Sequence, residues 1–198
     1  MLLENQFTTV FIDLDDTLYP EKAYLFQAYN AIGKICNQEF DINEVEMSAF
    51  LQTSFLQSGR TELFNNAITR FNLPEESLEV MLTTMRNFVP KQRLNLFEKS
   101  EKILLEFIKC NKQIFVITNG NEIQQKNKVQ YIDWKGLDRS ISFIYANTIE
   151  PKPSSKSFWV LQEKYGFKNE NCVMIGDSET DKLFAQNSKI KFIHINDI

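Results

Sequence analysis

The sequence predicts an α/β fold: a three-layer α/β/α core around a mainly parallel sheet, interrupted early by an α-helical insertion. Three observations predict it. From Leu96 onward, short apolar runs alternate with stretches of helical periodicity. About seventy residues after Pro20 are helical in pattern. The polar clusters fall just past the ends of the strand-like runs.

Thr9-Val10-Phe11-Ile12 reads as a buried strand that ends abruptly in Asp13, Asp15, Asp16, Thr17 and Pro20. Such a run suits the middle of a parallel sheet. Leu25, Ala28, Tyr29, Ile32, Ile35 and Cys36 then recur at three and four, predicting a helix to about Phe40. Asn43-x-x-Glu46 has the form of a capping box, opening a second helix that ends at Gly59. Leu63, Phe64, Ala67, Ile68 and Phe71 mark a third. Pro74 opens a fourth, with Leu78, Met81, Leu82, Met85 and Phe88, and Pro90 closes it. An insertion of that length is a domain rather than a connection. The division predicted is a helical domain of residues 19–91 within a core of residues 1–18 and 92–198. Entry near Tyr19 and exit near Pro90 predict that the bundle acts as a lid over the Asp loop.

The core resumes with a helix from Ser100 to Cys110 and a strand, Gln113 to Ile117, that stops at Thr118-Asn119-Gly120. A helix from about Asn121 to Tyr131 and a strand from Ile141 to Tyr145 follow. Ser154 caps a helix through Tyr165 that Gly166 ends. Cys172 to Ile175 is a strand running into Gly176-Asp177, and a helix from about Glu179 to Gln186 precedes a last strand carrying His194.

Composition narrows the function. The 198 residues are 43% hydrophobic, ample for a core, and 22 basic against 26 acidic residues give a net charge of −4. With no Lys/Arg run to track phosphates, a nucleic-acid partner is not expected. No stretch approaches the roughly 20 apolar residues of a membrane span, and Met1 to Gln6 lacks the features of a secretory leader. A cytoplasmic monomer or dimer with no membrane partner is expected. Cys36, Cys110 and Cys172 are odd in number, widely spaced and set among apolar residues, so all three read as buried thiols. The only histidine, His194, reads as a strand residue with a satisfied ring, which argues against histidine-based triads.

Four polar clusters remain: Asp13/Asp15/Thr17, Thr118/Asn119, Lys152 and Asp177/Asp181. In a parallel sheet the carboxyl ends of the strands share one edge, so these converge on one crevice. Asp13 and Asp15, two positions apart, repel one another unless a cation or a proton intervenes. Lys152, between Pro151 and Pro153, sits on a stiffened backbone that favours a positioned role.

Asp13-x-Asp15-x-Thr17 after a hydrophobic strand resembles the first motif of the haloacid dehalogenase-like (HAD) superfamily. Ile117-Thr118-Asn119-Gly120 resembles its second motif, Glu150-Pro151-Lys152-Pro153 its third, and Gly176-Asp177-Ser178-Glu179-Thr180-Asp181 its fourth. The order is kept, and the helical insertion lies where that family carries its caps. One departure is Asn187-Ser188-Lys189, where the family often has a small residue and glycine.

The resemblance implies a Rossmann-like core with a cap domain and the activity of a Mg²⁺-dependent phosphatase, a phosphoric monoester hydrolase. It implies Asp13 as the nucleophile forming an aspartyl-phosphate and Asp15 as general acid and then base. Thr118, Asn119 and Lys152 would bind the phosphoryl group. Asp13, Asp177 and the backbone carbonyl of Asp15 would hold Mg²⁺, with Asp181 behind them orienting Lys152 or a metal-bound water, and with Thr17 behind them or only capping the loop. Arg60, in a helix-connecting turn, is a candidate substrate contact with an exposed surface arginine as the equal alternative. Sugar phosphates, phosphoglycolate-like acids and nucleoside monophosphates all fit as substrates. A phosphomutase, a 2-haloacid dehalogenase and a non-enzymatic phospho-acceptor module are the alternatives. The acid at Asp15 counts against dehalogenation, and the motif order counts against the acceptor module.

Overall fold

A computed structural model describes residues 6–198, so Met1–Asn5, most of the segment read as lacking a leader, lies outside the described residues. The predicted α/β fold is observed. Five parallel strands form one sheet in the order β5-β3-β1-β6-β7: β1 is Thr9–Ile12, β3 Gln113–Thr118, β5 Ile141–Tyr145, β6 Cys172–Gly176 and β7 Lys191–His194. All four residues of β1 are buried, as its central place requires. The chain steps outward from β1 through β3 to β5, then crosses to β6 on the other flank. The strand order therefore reverses at β1 and β6, where open α/β sheets form their ligand crevice.

Register carries the polar residues to that crevice. Ile12 lies opposite both Val116 and Ile175, so Asp13 and Asp177 lie just beyond neighbouring strand ends. The Asp13 N–H donates to the Ile175 carbonyl at 2.9 Å, extending the ladder one step. Aromatic side chains stabilise one face of the sheet. Phe11 stacks on Phe115 at 5.2 Å and meets Phe158 at 5.3 Å, contacts that each add about 0.5–1.5 kcal/mol beyond area burial. Phe184 and Met174 belong to the same buried cluster. Helices α5 (Glu98–Lys109), α6 (Glu122–Tyr131), α7 (Lys156–Tyr165) and α8 (Glu179–Asn187) alternate with the strands. Two strands of two residues each, β2 (Leu94–Asn95) and β4 (Ile132–Asp133), make a second small parallel sheet.

The chain divides into two compact units. The α/β unit comprises the segment ending at Glu21 with Leu94–Gln125 and Ile132–Ile198; the helical unit comprises Lys22–Arg93 and Lys126–Tyr131. The latter holds α1 (Lys22–Phe40), α2 (Glu44–Ser58), α3 (Leu63–Phe71) and α4 (Ser77–Asn87), the helical insertion predicted between β1 and the rest of the α/β unit. Leu25, Ala28, Tyr29, Ile32 and Cys36 are the buried stripe of α1. The Asn43 side chain accepts from Val45 N and Glu46 N, forming the asparagine half of the capping arrangement. Gly33 lets α1 and α2 close together, since a Cβ there would stand 2.6 Å from the Glu44 carbonyl oxygen. The fourth helix begins at Ser77 rather than Pro74, because the Pro74 carbonyl is taken by the Ser77 N–H and hydroxyl in a preceding turn.

The cysteine expectation needs one correction. Cys36 and Cys172 are buried, and burial pushes their thiols up to about 11 and about 12, but Cys110 is exposed. It caps the end of α5, where the chain turns out to solvent, so apolar sequence neighbours do not bury it. Among the described residues, no helix is long and apolar enough to cross a membrane.

Candidate active site

The α/β unit brings its polar residues together around one lysine. Lys152 Nζ donates to Asp13 Oδ1 at 2.5 Å and to Asp181 Oδ1 at 2.6 Å, and its side chain is only 3% exposed. An ammonium so far from water persists only when paired. Its backbone is fixed as well: Lys152 N–H donates to Asn119 Oδ1 at 2.8 Å, and Asn119 Nδ2 donates back to the Lys152 carbonyl at 2.7 Å. The loop after β3 thus grips the loop after β5. Gly120 N–H donating to Asn147 Oδ1 at 2.8 Å adds a second tie.

Asp181 is held from both sides. Ser178 at the N-cap of α8 donates its hydroxyl to Asp181 Oδ2 at 2.6 Å and accepts the Asp181 N–H at 3.3 Å, a reciprocal cap. Gly176 permits this closeness, because a Cβ there would lie 2.5 Å from Asp181 Oδ2. Asp177 is braced twice. The Thr17 hydroxyl donates to its Oδ1 at 3.2 Å, and its backbone carbonyl lies 3.1 Å from His194 Nε2. Since Asn196 N–H donates to His194 Nδ1, the ring proton belongs on Nε2 and donates to Asp177. His194 thus has the satisfied ring expected of it.

Asp13, Asp177 and Asp181 present oxygens within 4.8 Å of one another. Burial pushes the Asp13 carboxyl up to about 7; Lys152 opposes the rise, and Asp181 and Asp15 add to it. Burial likewise raises Asp177, with Asp181 the next cause and the Thr17 hydroxyl working the other way. Burial works against the charge of Lys152, yet Asp13 and Asp181 outweigh it and hold the ammonium above its ordinary value. Three carboxylates to one ammonium leave the cluster short of positive charge. Hard oxygens in that number fit a small divalent cation such as Mg²⁺.

Other sequence candidates are placed differently. The carboxylate cluster takes in Asp181, whereas the Asp15 carboxylate accepts from the buried Tyr19 hydroxyl at 2.7 Å. The Thr118 hydroxyl, buried at the end of β3, donates to Gln125 Oε1 at 3.1 Å. Asp16 is a local cap, with left-handed φ of 55° and its side chain accepting from Glu21 N. Arg60 is exposed in the turn after α2. Sequence reasoning missed Ser178, Gln125 and Tyr19. The Ser178-x-x-Asp181 spacing was a readable capping signal. Nothing in the sequence marked Tyr19 or Gln125 as partners of Asp15 and Thr118.

The model of the haloacid dehalogenase-like hydrolase family matches residues 10–195. The chain belongs to that family. No curated protein matches it in sequence. Solved structures share its fold at low identity. A protein described as a predicted phosphoglycolate phosphatase from Haemophilus somnus has a TM-score of 0.70 at 17% identity, covering 96% of this chain and 85% of its own. A HAD family hydrolase from Deinococcus radiodurans, with bound phosphate and sodium, gives 0.61 at 15%, covering 96% and 80%. The HAD-hydrolase YfnB from Bacillus subtilis, bound to magnesium, gives 0.60 at 17%, covering 95% and 88%.

Proposed function

We propose that this chain is a Mg²⁺-dependent phosphatase that hydrolyses small phosphate monoesters through an aspartyl-phosphate on Asp13. The observation that carries the proposal is the buried Lys152, paired to Asp13 and Asp181 beside a third carboxylate at the sheet's switch point. A phosphate dianion repels nucleophiles, so a site for it must supply positive charge and a nucleophile already in place. Lys152 supplies the first and Asp13 the second.

In this reading the Asp13 carboxylate attacks phosphorus, its new O–P bond forming as the ester P–O bond breaks. Asp15 gives a proton to the departing oxygen and later takes one from the attacking water, which releases phosphate and restores Asp13. Lys152 offsets charge on the phosphoryl oxygens, and Thr118 with the backbone amides of its loop donates hydrogen bonds to them. The Asn119 side chain serves by holding the Lys152 backbone, and its backbone N–H would be the group that donates to phosphate. Asp13 and Asp177, with the Asp15 carbonyl, would hold Mg²⁺, while Asp181 is engaged by Lys152 and Ser178. When bound, the ion would offset charge shared between phosphate and carboxylates.

Support also comes from the structural relatives whose descriptions name a phosphoglycolate phosphatase, bound phosphate and bound magnesium. Candidate substrates are sugar phosphates, phosphoglycolate-like acids and nucleoside monophosphates in the cytoplasm. Release of p-nitrophenol from p-nitrophenyl phosphate, with and without Mg²⁺, tests the reading. Repeated turnover that requires the ion supports it; a single lasting phosphorylation, or no reaction, sinks it.

A further inference from the structure

The loop between β1 and α1 is tied down along its whole length. Leu18 N–H donates to the Leu14 carbonyl at 3.0 Å, and Asp16 N–H to the Tyr19 carbonyl at 2.9 Å. Phe97 N–H reaches the Leu18 carbonyl at 2.9 Å, and the Ser100 hydroxyl reaches the Thr17 carbonyl at 2.7 Å. Asp15 and Tyr19 also form an isolated parallel bridge, so their backbones sit side by side. The Tyr19 side chain is fully buried, and its hydroxyl donates to Asp15 Oδ1 at 2.7 Å.

Packing alone asks only for an aromatic ring at this position. The hydroxyl does something that a phenylalanine cannot. The terminal torsion of an aspartate is broad and two-fold, so an unrestrained carboxyl group turns readily about its own axis. A general acid works only when its proton lies in line with the oxygen it must protonate. A rigidly held phenol hydrogen-bonded to one oxygen fixes the plane of the whole group. Tyr19 can donate to Oδ1 in both stages of the cycle, when the acid proton sits on the other oxygen and when the group is ionised.

We propose that Tyr19 is a positioning residue for the reaction, holding the Asp15 carboxyl group in the orientation that delivers its proton to the leaving oxygen. The inference rests on the phosphatase reading, in which Asp15 loses that proton as the ester P–O bond breaks and the Asp13 O–P bond forms. The departing oxygen then leaves as a neutral alcohol rather than as an alkoxide.

The test compares two leaving groups of similar shape. The p-nitrophenolate ion departs with little protonic help, whereas phenolate needs more. With Mg²⁺ present, kcat/KM for phenyl phosphate and p-nitrophenyl phosphate is measured on single preparations of the wild-type, Tyr19→Phe and Asp15→Asn chains. Tyr19→Phe is expected to lose roughly tenfold more on phenyl phosphate than on p-nitrophenyl phosphate, a share of the about 10²–10⁴ that general acid–base catalysis contributes. A misfolded fraction cancels from this ratio because both substrates meet the same molecules. Equal losses on the two substrates in Tyr19→Phe, alongside a strong split in Asp15→Asn, would overturn the role of Tyr19 and leave Asp15 as the acid. Equal losses in Asp15→Asn would remove both assignments, and so would a wild-type chain that turns over neither ester.

Discussion

Lys152 Nζ sits 2.6 Å from Asp181 Oδ1, and the same nitrogen also holds Asp13. Removing the ammonium leaves two carboxylates facing each other in a buried place. Lys152→Met, close in volume but uncharged, should therefore cost about 3–5 kcal/mol at pH 8, the range for breaking a buried pair. Urea unfolding of the metal-free chain measures this. Phosphatase turnover should also fall by several orders of magnitude, and a stable, near-normally active Lys152→Met chain would contradict the site.

The raised Asp13 carboxyl makes the metal-free chain sensitive to pH. Its folded value of about 7 lies above the ordinary carboxylate value, so the native state binds the proton more tightly than the unfolded chain does. Stability from this group is then full below about pH 4 and is lost as pH rises through about 7. Thermal unfolding in chelator should show a melting temperature that falls between pH 4.5 and 8. Asp13→Asn should flatten that fall, be more stable than wild type at pH 8, and abolish turnover.

The same proton competes with the cation, because carboxylate ligands must be ionised to bind it. Apparent Mg²⁺ affinity, measured by calorimetry, should rise with pH up to about 7 and level off above it. An affinity independent of pH from 5 to 8 would place the ion elsewhere.

Gly176 stands where a methyl group would collide with Asp181. Gly176→Ala should cost about 1–3 kcal/mol, as overpacking does, and should lower activity well beyond that loss of stability. Comparing turnover per folded molecule with the unfolding midpoint separates the two effects.

His194 donates to the Asp177 carbonyl and so steadies the backbone of a proposed metal ligand. His194→Phe should weaken Mg²⁺ binding about 10- to 100-fold, the usual effect of losing an outer partner. His194→Gln, which retains a donor, should recover part of it. Calorimetry of the three chains is the measurement.

Much of this was legible in the sequence. The runs Thr9–Ile12, Gln113–Thr118 and Cys172–Gly176 are apolar and β-branched enough to declare themselves as buried strands, and the polar residues closing each run land at one sheet edge. Strands β2 and β4 escaped, because two residues cannot display an alternating pattern. The partners of Asp15 and Thr118 escaped for another reason. Tyr19 reaches Asp15 across an irregular loop, and Gln125 reaches Thr118 from the following helix, so no periodicity announces either contact.

The central strand has a consequence for biosynthesis. β1 leaves the ribosome well before its two neighbours, which begin only at Gln113 and Cys172. Until the second of these emerges, an apolar ribbon with an unfilled edge must wait, and exposed edges of that kind invite pairing with other chains. A nascent chain stalled before Cys172 should therefore depend on chaperones more heavily than the finished protein.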